Sequence, residues 1–276
     1  MEVSYNPSNK RYVLITGAAG GMGAACVREL ARRGFEVVAS DFSAGGIPDC
    51  ALPLTMDVTS EASVADALER ISAITGSLYA IVHLAGVYTM DSFVEIEESQ
   101  LNNMLQVNLM GVYRVNKAFL PLVRSGGGRI VIVTSELAPL DPLPFNGIYS
   151  MTKTALDSYA HSLALELDLI GVRVVTLRPG AFGDGMPKAS LRAMERMQAS
   201  SKLFSCNAER FRKVMMGEIG SSRDPEEFAR WLVKILQKKK PAFEYAVNNS
   251  VKLKLFSALP TSLQAFALRL LLKGKN

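Results

Sequence analysis

Two side chains four residues apart, Tyr149 and Lys153, carry the first chemical suggestion in this 276-residue chain. They stand near the start of an apolar-periodic stretch that runs to about residue 170, and on a helix that spacing points both the same way, about one turn apart. A phenol normally keeps its proton until a pH near ~10, and a nearby ammonium favours the phenolate. Such a pair can exchange a proton with a bound oxygen near neutral pH. The same two residue types are also common on solvated helix faces, so their meaning depends on what the rest of the chain places around them.

The first such element lies near the N-terminus. Residues 11–16 form a short β-branched run that predicts a buried parallel strand. The glycine-rich turn of residues 16–23 follows, and then residues 24–33 with helical periodicity up to Gly34. Gly17, Gly21 and Gly23, with Met22 between them, sit where a tight turn lets backbone approach a pyrophosphate at a helix N-terminus. A second strand, 36–40, ends at Asp41, 24 residues after Gly17. A carboxylate there can accept hydrogen bonds from ribose hydroxyls and repels a 2′-phosphate, and Phe42, not an arginine, comes next. NAD(H) is the expected cofactor, with Asp41 and Phe42 beside its adenosine.

Further strands are predicted at 52–55, 79–83, 129–134, 172–177 and 242–247, and helices at 61–73, 99–123, 149–170 and 225–237. Strands and helices alternate without a repeat or a linker. That predicts an α/β fold, a doubly wound parallel sheet of Rossmann type with helices on both faces, in one domain. Residues 183–220 read as an insertion whose five methionines suit either a lid over an apolar pocket or ordinary core packing. Residues 248–276 form a basic, apolar extension in which Leu263, Phe266, Ala267 and Leu270 share a helical face. Such a tail can dock on the body, pair with another subunit, or lie on an anionic membrane surface.

The totals bound the rest. With 49% hydrophobic and 21% charged residues the chain is globular; its cations are spread along it with a denser group after about Lys234, and the lack of a basic cluster alternating with aromatics argues against a nucleic-acid surface. Cys26, Cys50 and Cys206 are odd in number and far apart, and with His83 and His161 they offer no metal-ligand spacing, so no metal is expected. The polar N-terminus and the lack of a bilayer-length apolar run make the cytoplasm the default location.

Seven pieces, in order, resemble the short-chain dehydrogenase/reductase family over roughly residues 11–182. They are the glycine turn at 16–23, Asp57-Val58, Ala85-Gly86, Asn108, Ser135, Tyr149 with Lys153, and Pro179-Gly180. The resemblance implies reversible hydride transfer between NAD(H) and a secondary alcohol or ketone. It makes Tyr149 the general acid/base and Lys153 a group that lowers the phenol's pKa and holds the ribose. Ser135 becomes a donor to the substrate oxygen, and Asn108 the holder of a water that links Lys153 to solvent. Asp57 and Val58 would meet the adenine, and Ala85, Gly86, Pro179 and Gly180 would lie along the cofactor. Phe145, Phe182 and Met186, which follow motifs beside the nicotinamide, would flank the substrate together with Ser135 and Tyr149. An apolar, steroid- or lipid-like substrate is the expectation, by likeness of residues 144–149 and of the tail to members acting on lipophilic alcohols. Two departures stand out. His83-Leu84 replaces the first half of the family's Asn-Asn-Ala-Gly motif, and the glycine turn equally fits the longer, epimerase-like branch. Epimerase or dehydratase chemistry, and a non-catalytic NAD(H)-sensing protein, are therefore the alternative readings. Pairing through the two long helices would give a homodimer or homotetramer.

Overall fold

The computed structural model describes residues 10–183, 185–219 and 222–273, apart from the side chains of 186, 187, 215 and 217–219. Seven strands, β1 (Tyr12–Thr16), β2 (Glu36–Asp41), β3 (Leu52–Thr55), β4 (Ala80–His83), β5 (Arg129–Val133), β6 (Arg173–Pro179) and β7 (Glu244–Val247), form one sheet in the order β3-β2-β1-β4-β5-β6-β7. Every pairing is parallel. The strand order reverses between β1 and β4, and in sheets of this kind ligands bind at the carboxyl ends beside that switch point.

The two-residue period of a strand divides its side chains between two cores. Val13, Ile15, Val131 and Val133 pack on one face with α1 (Gly21–Arg32) and α8 (Pro225–Gln237). Leu14, Ile81, Ile130 and Ile132 pack on the other with α2 (Glu61–Ser72), α4 (Gly111–Ser125) and α5 (Gly147–Asp168). Phe228 on the first side and Phe119 on the second are fully buried, and truncating either to Ala would cost about 3–5 kcal/mol.

The long helix expected over residues 99–123 is not continuous. Helix α3 (Glu98–Leu105) passes into a π-helical turn, Gln106–Met110, before α4 begins at Gly111. A Cβ on Gly111 would lie 2.7 Å from the Val58 side chain, so the glycine lets this kinked segment press against the loop after β3. Asn108 sits inside the π turn.

Beyond β6 the chain forms α6 (Gly185–Ser200) and α7 (Ser205–Ile219), and after β7 come α9 (Val251–Ser257) and α10 (Thr261–Leu272). Met194, Phe211 and Leu272, from α6, α7 and α10, share a small apolar cluster with Met90, Ala193 and the partly buried Phe145 and Leu268. The tail therefore docks on the body, but not by the face its pattern suggests. Gln264 and Leu272 are buried and Leu268 half-buried, whereas Leu263, Phe266 and Leu270 are exposed.

Candidate active site

The first loop is built by glycines with different jobs. Gly17 has φ +73°, and a Cβ there would come within 2.5 Å of the Ala85 amide nitrogen, so the loop after β1 lies directly on the end of β4. A Cβ on Gly23 would overlap the Gly17 carbonyl, which ties the start of α1 to the loop. Gly21 is the reverse case, since a Cβ there would meet nothing within 4 Å. Helix α1 opens at this residue with no capping side chain and no acidic residue in its first turn. Open space in front of an uncapped helix N-terminus fits the pyrophosphate of a dinucleotide. Asp41 closes the arrangement: its Oδ2 accepts from the Ala19 amide at 2.9 Å and its Oδ1 from the Phe42 amide at 2.8 Å. The carboxylate thus stands at the end of β2, against the glycine loop, and the Phe42 side chain is exposed beside it. Asp57 instead shapes the turn into α2, with Oδ1 accepting from the Thr59 amide and hydroxyl, and Val58 lies against Gly111.

Ser135, Tyr149 and Lys153 converge at the end of β5. The strand continues through Thr134 N–H to the Leu177 carbonyl and Glu136 N–H to the Pro179 carbonyl, which holds Ser135 beside β6. The Ser135 hydroxyl accepts from the Leu137 amide at 3.2 Å and faces the Tyr149 phenol. Lys153 lies one turn further along α5, its ammonium donating to the Val133 carbonyl at 3.1 Å and standing 5.8 Å from the centre of the Tyr149 ring. Burial pushes the Lys153 ammonium down to about 8. Burial also pushes the phenol well above its ordinary range, the neighbouring Tyr88 adds to that, and the Ser135 hydroxyl offsets part. The expected lowering of the phenol by Lys153 is not what governs here, because both groups sit in an apolar enclosure that favours their neutral forms.

Asn108 is held on both sides of its amide. Its Oδ1 accepts from the Val87 amide at 2.8 Å, and its Nδ2 donates to the Val87 carbonyl at 3.0 Å and to Thr152 Oγ1 at 3.1 Å. Both amide hydrogens are engaged, so the side chain fastens the chain beyond β4 to α5 and has no donor left for a water. Ala85 and Gly86 are positioned by the same clamp, with the Ala85 amide bonded to Thr16 Oγ1 and Gly86 beside Asn108. His83 is a satisfied strand-end residue. Its Nε2 meets Asn116 Oδ1 at 2.7 Å, on the α4 side of the sheet, and burial drives its pKa down to about 4. Pro179 and Gly180 end β6, where a Cβ on Gly180 would overlap the Asn248 carbonyl.

Of the three residues expected to flank a substrate, Phe145 sits above the site at φ +63° and packs edge-on against Phe204 and Phe211 of the insertion, ring centres 5.5 and 5.7 Å away. Phe182 does not join it. Its ring turns into the main core against Phe228, because the loop after β6 bridges to Arg223 and carries the side chain under α8. The Met186 side chain lies outside the described residues.

Two residues that motif reading missed belong here. Tyr88 covers Tyr149 edge-on and is hydrogen-bonded to Ser190 on α6. Asn146, three residues before Tyr149, is buried with its Oδ1 unpartnered. Tyr88 falls in a stretch with no periodic pattern. Asn146 could have been noticed only as an amide inside an apolar, proline-flanked turn.

Residues 11–195 match the family model described as short chain dehydrogenase. A 3-ketodihydrosphingosine reductase of Bacteroides thetaiotaomicron is 26% identical over 261 residues, covering 94% of this chain and 96% of that protein. The human 17-beta-hydroxysteroid dehydrogenase type 6 is 34% identical over 202 residues, which is 70% of this chain but 63% of the relative's length. A short-chain dehydrogenase from Streptomyces avermitilis superimposes with a TM-score of 0.72 at 21% identity, with 95% of each chain covered.

Proposed function

The chain belongs to the short-chain dehydrogenase family, and from that premise we propose that it is an NAD(H)-dependent enzyme acting on the secondary alcohol or ketone of an apolar, steroid- or lipid-like substrate. The observation that carries this reading is the convergence of Ser135 and Tyr149, with Lys153 one turn further along α5, at a strand end beside the glycine loop.

A bound nicotinamide supplies or accepts the hydride. Gly17, Gly21, Met22 and Gly23 would receive its pyrophosphate, Asp41 the adenosine ribose, and Ala85, Gly86, Pro179 and Gly180 the remainder. Asp41 favours NAD(H), since a 2′-phosphate would meet its carboxylate. In reduction, Tyr149 gives its proton to the substrate oxygen. A phenol held above its ordinary pKa keeps that proton through neutral pH, and an alkoxide is basic enough to take it. The Ser135 hydroxyl would donate to the same oxygen as charge develops on it. Lys153, bound to the Val133 carbonyl, fixes the polar floor of the site.

The apolar substrate class is supported by the lining. Tyr149 is only 3% exposed, beneath Tyr88 and beside the cluster containing Phe145, Met194 and Phe211. The names of both curated relatives describe apolar compounds. Oxidation of NADH and NADPH is the test, followed at fixed enzyme against ketosteroids, long-chain ketones, short ketones and keto sugars. Faster turnover with NADH and with the large apolar ketones is expected. Preference for NADPH would overturn the cofactor assignment, and preference for keto sugars would overturn the substrate class.

A further inference from the structure

The charge of this protein is not distributed as its total suggests. Five of the 31 Lys and Arg, and none of the 26 Asp and Glu, follow Glu244, so residues 1–244 carry 26 of each sign. The whole net charge of +5 belongs to the last 32 residues. Those residues contain α9 and α10, which leave a run of apolar side chains uncovered. Val251, Leu255 and Leu259 in and just after α9 are 68%, 66% and 42% exposed, and Leu263, Phe266 and Leu270 on α10 are 52%, 61% and 68% exposed. Spacings of three and four residues place each set along one side of its own helix. Lys252 and Lys254 lie among the first set, and Arg269 and Lys273 flank the second.

We propose that α9 and α10 form an elbow that seats the protein on the surface of an anionic lipid bilayer. Apolar stripes edged by cations and free of carboxylates are the pattern of a helix lying in the headgroup boundary, where acyl chains receive the Leu and Phe side chains and acidic headgroups the Lys and Arg. Together the two helices have the length and composition of a span, but they are bent by 119° at their junction, a shape that suits lying along the surface better than crossing. A second copy of the chain fits less well, because it would bring two carboxylate-free, cation-bearing faces together.

The elbow is rigidly joined to the body. Asn207 Nδ2 donates to the Leu272 carbonyl at 2.7 Å, and Gln264 Nε2 donates to Asp141 Oδ2 at 2.7 Å. The inner side of α10 places Leu268 and Leu272 in the same cluster as Phe145 and Met194. An apolar substrate carried in the lipid would thus meet the protein at the helix that backs its site, a corollary that rests on the substrate class proposed above.

The test is co-sedimentation of the full chain with phosphatidylcholine vesicles made with and without phosphatidylserine. It requires no turnover, so it stands whether or not the substrate class is right. Binding is expected to the phosphatidylserine vesicles, weakening with salt, and falling about fivefold for each of Lys254→Gln and Lys273→Gln. The triple variant L263E/F266E/L270E changes only exposed positions, and it should lose vesicle binding while keeping the melting temperature of the parent. Binding that ignores phosphatidylserine, or that survives the triple variant, overturns the proposal. So does a wild-type dimer that ignores vesicles and dissociates in the triple variant, which would assign the surface to a second copy.

Discussion

The ring of Tyr88 meets the ring of Tyr149 edge-on, with centres 4.8 Å apart and planes at 65°. Edge-to-face pairs of this kind contribute about 0.5–1.5 kcal/mol beyond burial, enough to hold one phenol in a single orientation. The Tyr88 hydroxyl is bonded to Ser190, so the group that orients Tyr149 is itself tied to α6. Tyr88→Ala is expected to lower kcat by up to ~10-fold, the equivalent of about 1.4 kcal/mol. Tyr88→Phe, which keeps the ring and loses only the Ser190 bond, should stay near the parent. Steady-state kinetics on both variants decides whether the ring is the positioning element.

Tyr149→Phe should leave NADH affinity intact, as followed by protein-to-cofactor fluorescence transfer, and should lower turnover by at least ~10²-fold, the scale of a lost general acid. Turnover near the parent value would remove Tyr149 from the mechanism.

The glycine loop separates fold from binding. Gly23→Ala places a methyl on the Gly17 carbonyl, and overpacking of this sort costs about 1–3 kcal/mol, visible as a lower melting temperature. Gly21→Ala has room for its methyl in the folded chain, so its melting temperature should hold. Its NADH dissociation constant should rise at least ~10-fold, because the methyl then occupies the space in front of the helix N-terminus. Equal NADH affinity in Gly21→Ala and the parent would place the pyrophosphate elsewhere.

Asp41 braces the loop through Ala19 and also faces the end of β2 where a ribose would lie. Asp41→Asn keeps one oxygen for Ala19 and removes the charge. The expected result is a shift of the NADH-to-NADPH affinity ratio toward NADPH by roughly tenfold, since a repelled phosphate is no longer repelled. An unchanged ratio would mean that the carboxylate serves the loop alone.

His83 makes stability depend on acid. Its pKa is lowered from 6.5 to about 4 by burial, so between those values the unfolded chain takes up a proton that the native protein refuses. The contribution is fully present above pH 6.5 and is lost as pH falls toward about 4, on the order of 3 kcal/mol in all. Urea midpoints measured across this range should fall for the parent. They should fall less steeply for His83→Gln, which can still donate to Asn116 and carries no titrating ring.

Much of this was legible in the chain because it is local. The β-branched run into the glycine turn, the strand ending at Asp41 and the four-residue spacing of Tyr149 and Lys153 depend on neighbours a few residues away. The departures come from contacts across the fold. Phe182 follows a strand end, where no periodicity says which way a ring turns, and its place is decided by Arg223 and Phe228. The π turn around Asn108 leaves the apolar pattern of its helix intact, and it is the approach of Gly111 to Val58 that marks it. The pairing of Lys153 with the Val133 carbonyl depends on how deeply β5 and α5 are buried together, which spacing cannot report. On α10, the rule that the more apolar face turns inward fails because the inward face carries a polar residue with partners elsewhere.

That residue, Gln264, acts as a rotational key for the last helix. One buried amide reaches Asp141, 123 residues earlier, and the carbonyl of Leu259 at the elbow. Rolling α10 so that Phe266 faced inward would carry Gln264 to the outer side and give up those bonds, at about 0.5–1.5 kcal/mol each. The orientation of the helix is therefore locked by its inner side alone. Leu263, Phe266 and Leu270 can drift in polarity without unseating it, so the outer face of the tail can be tuned by mutation independently of the fold beneath.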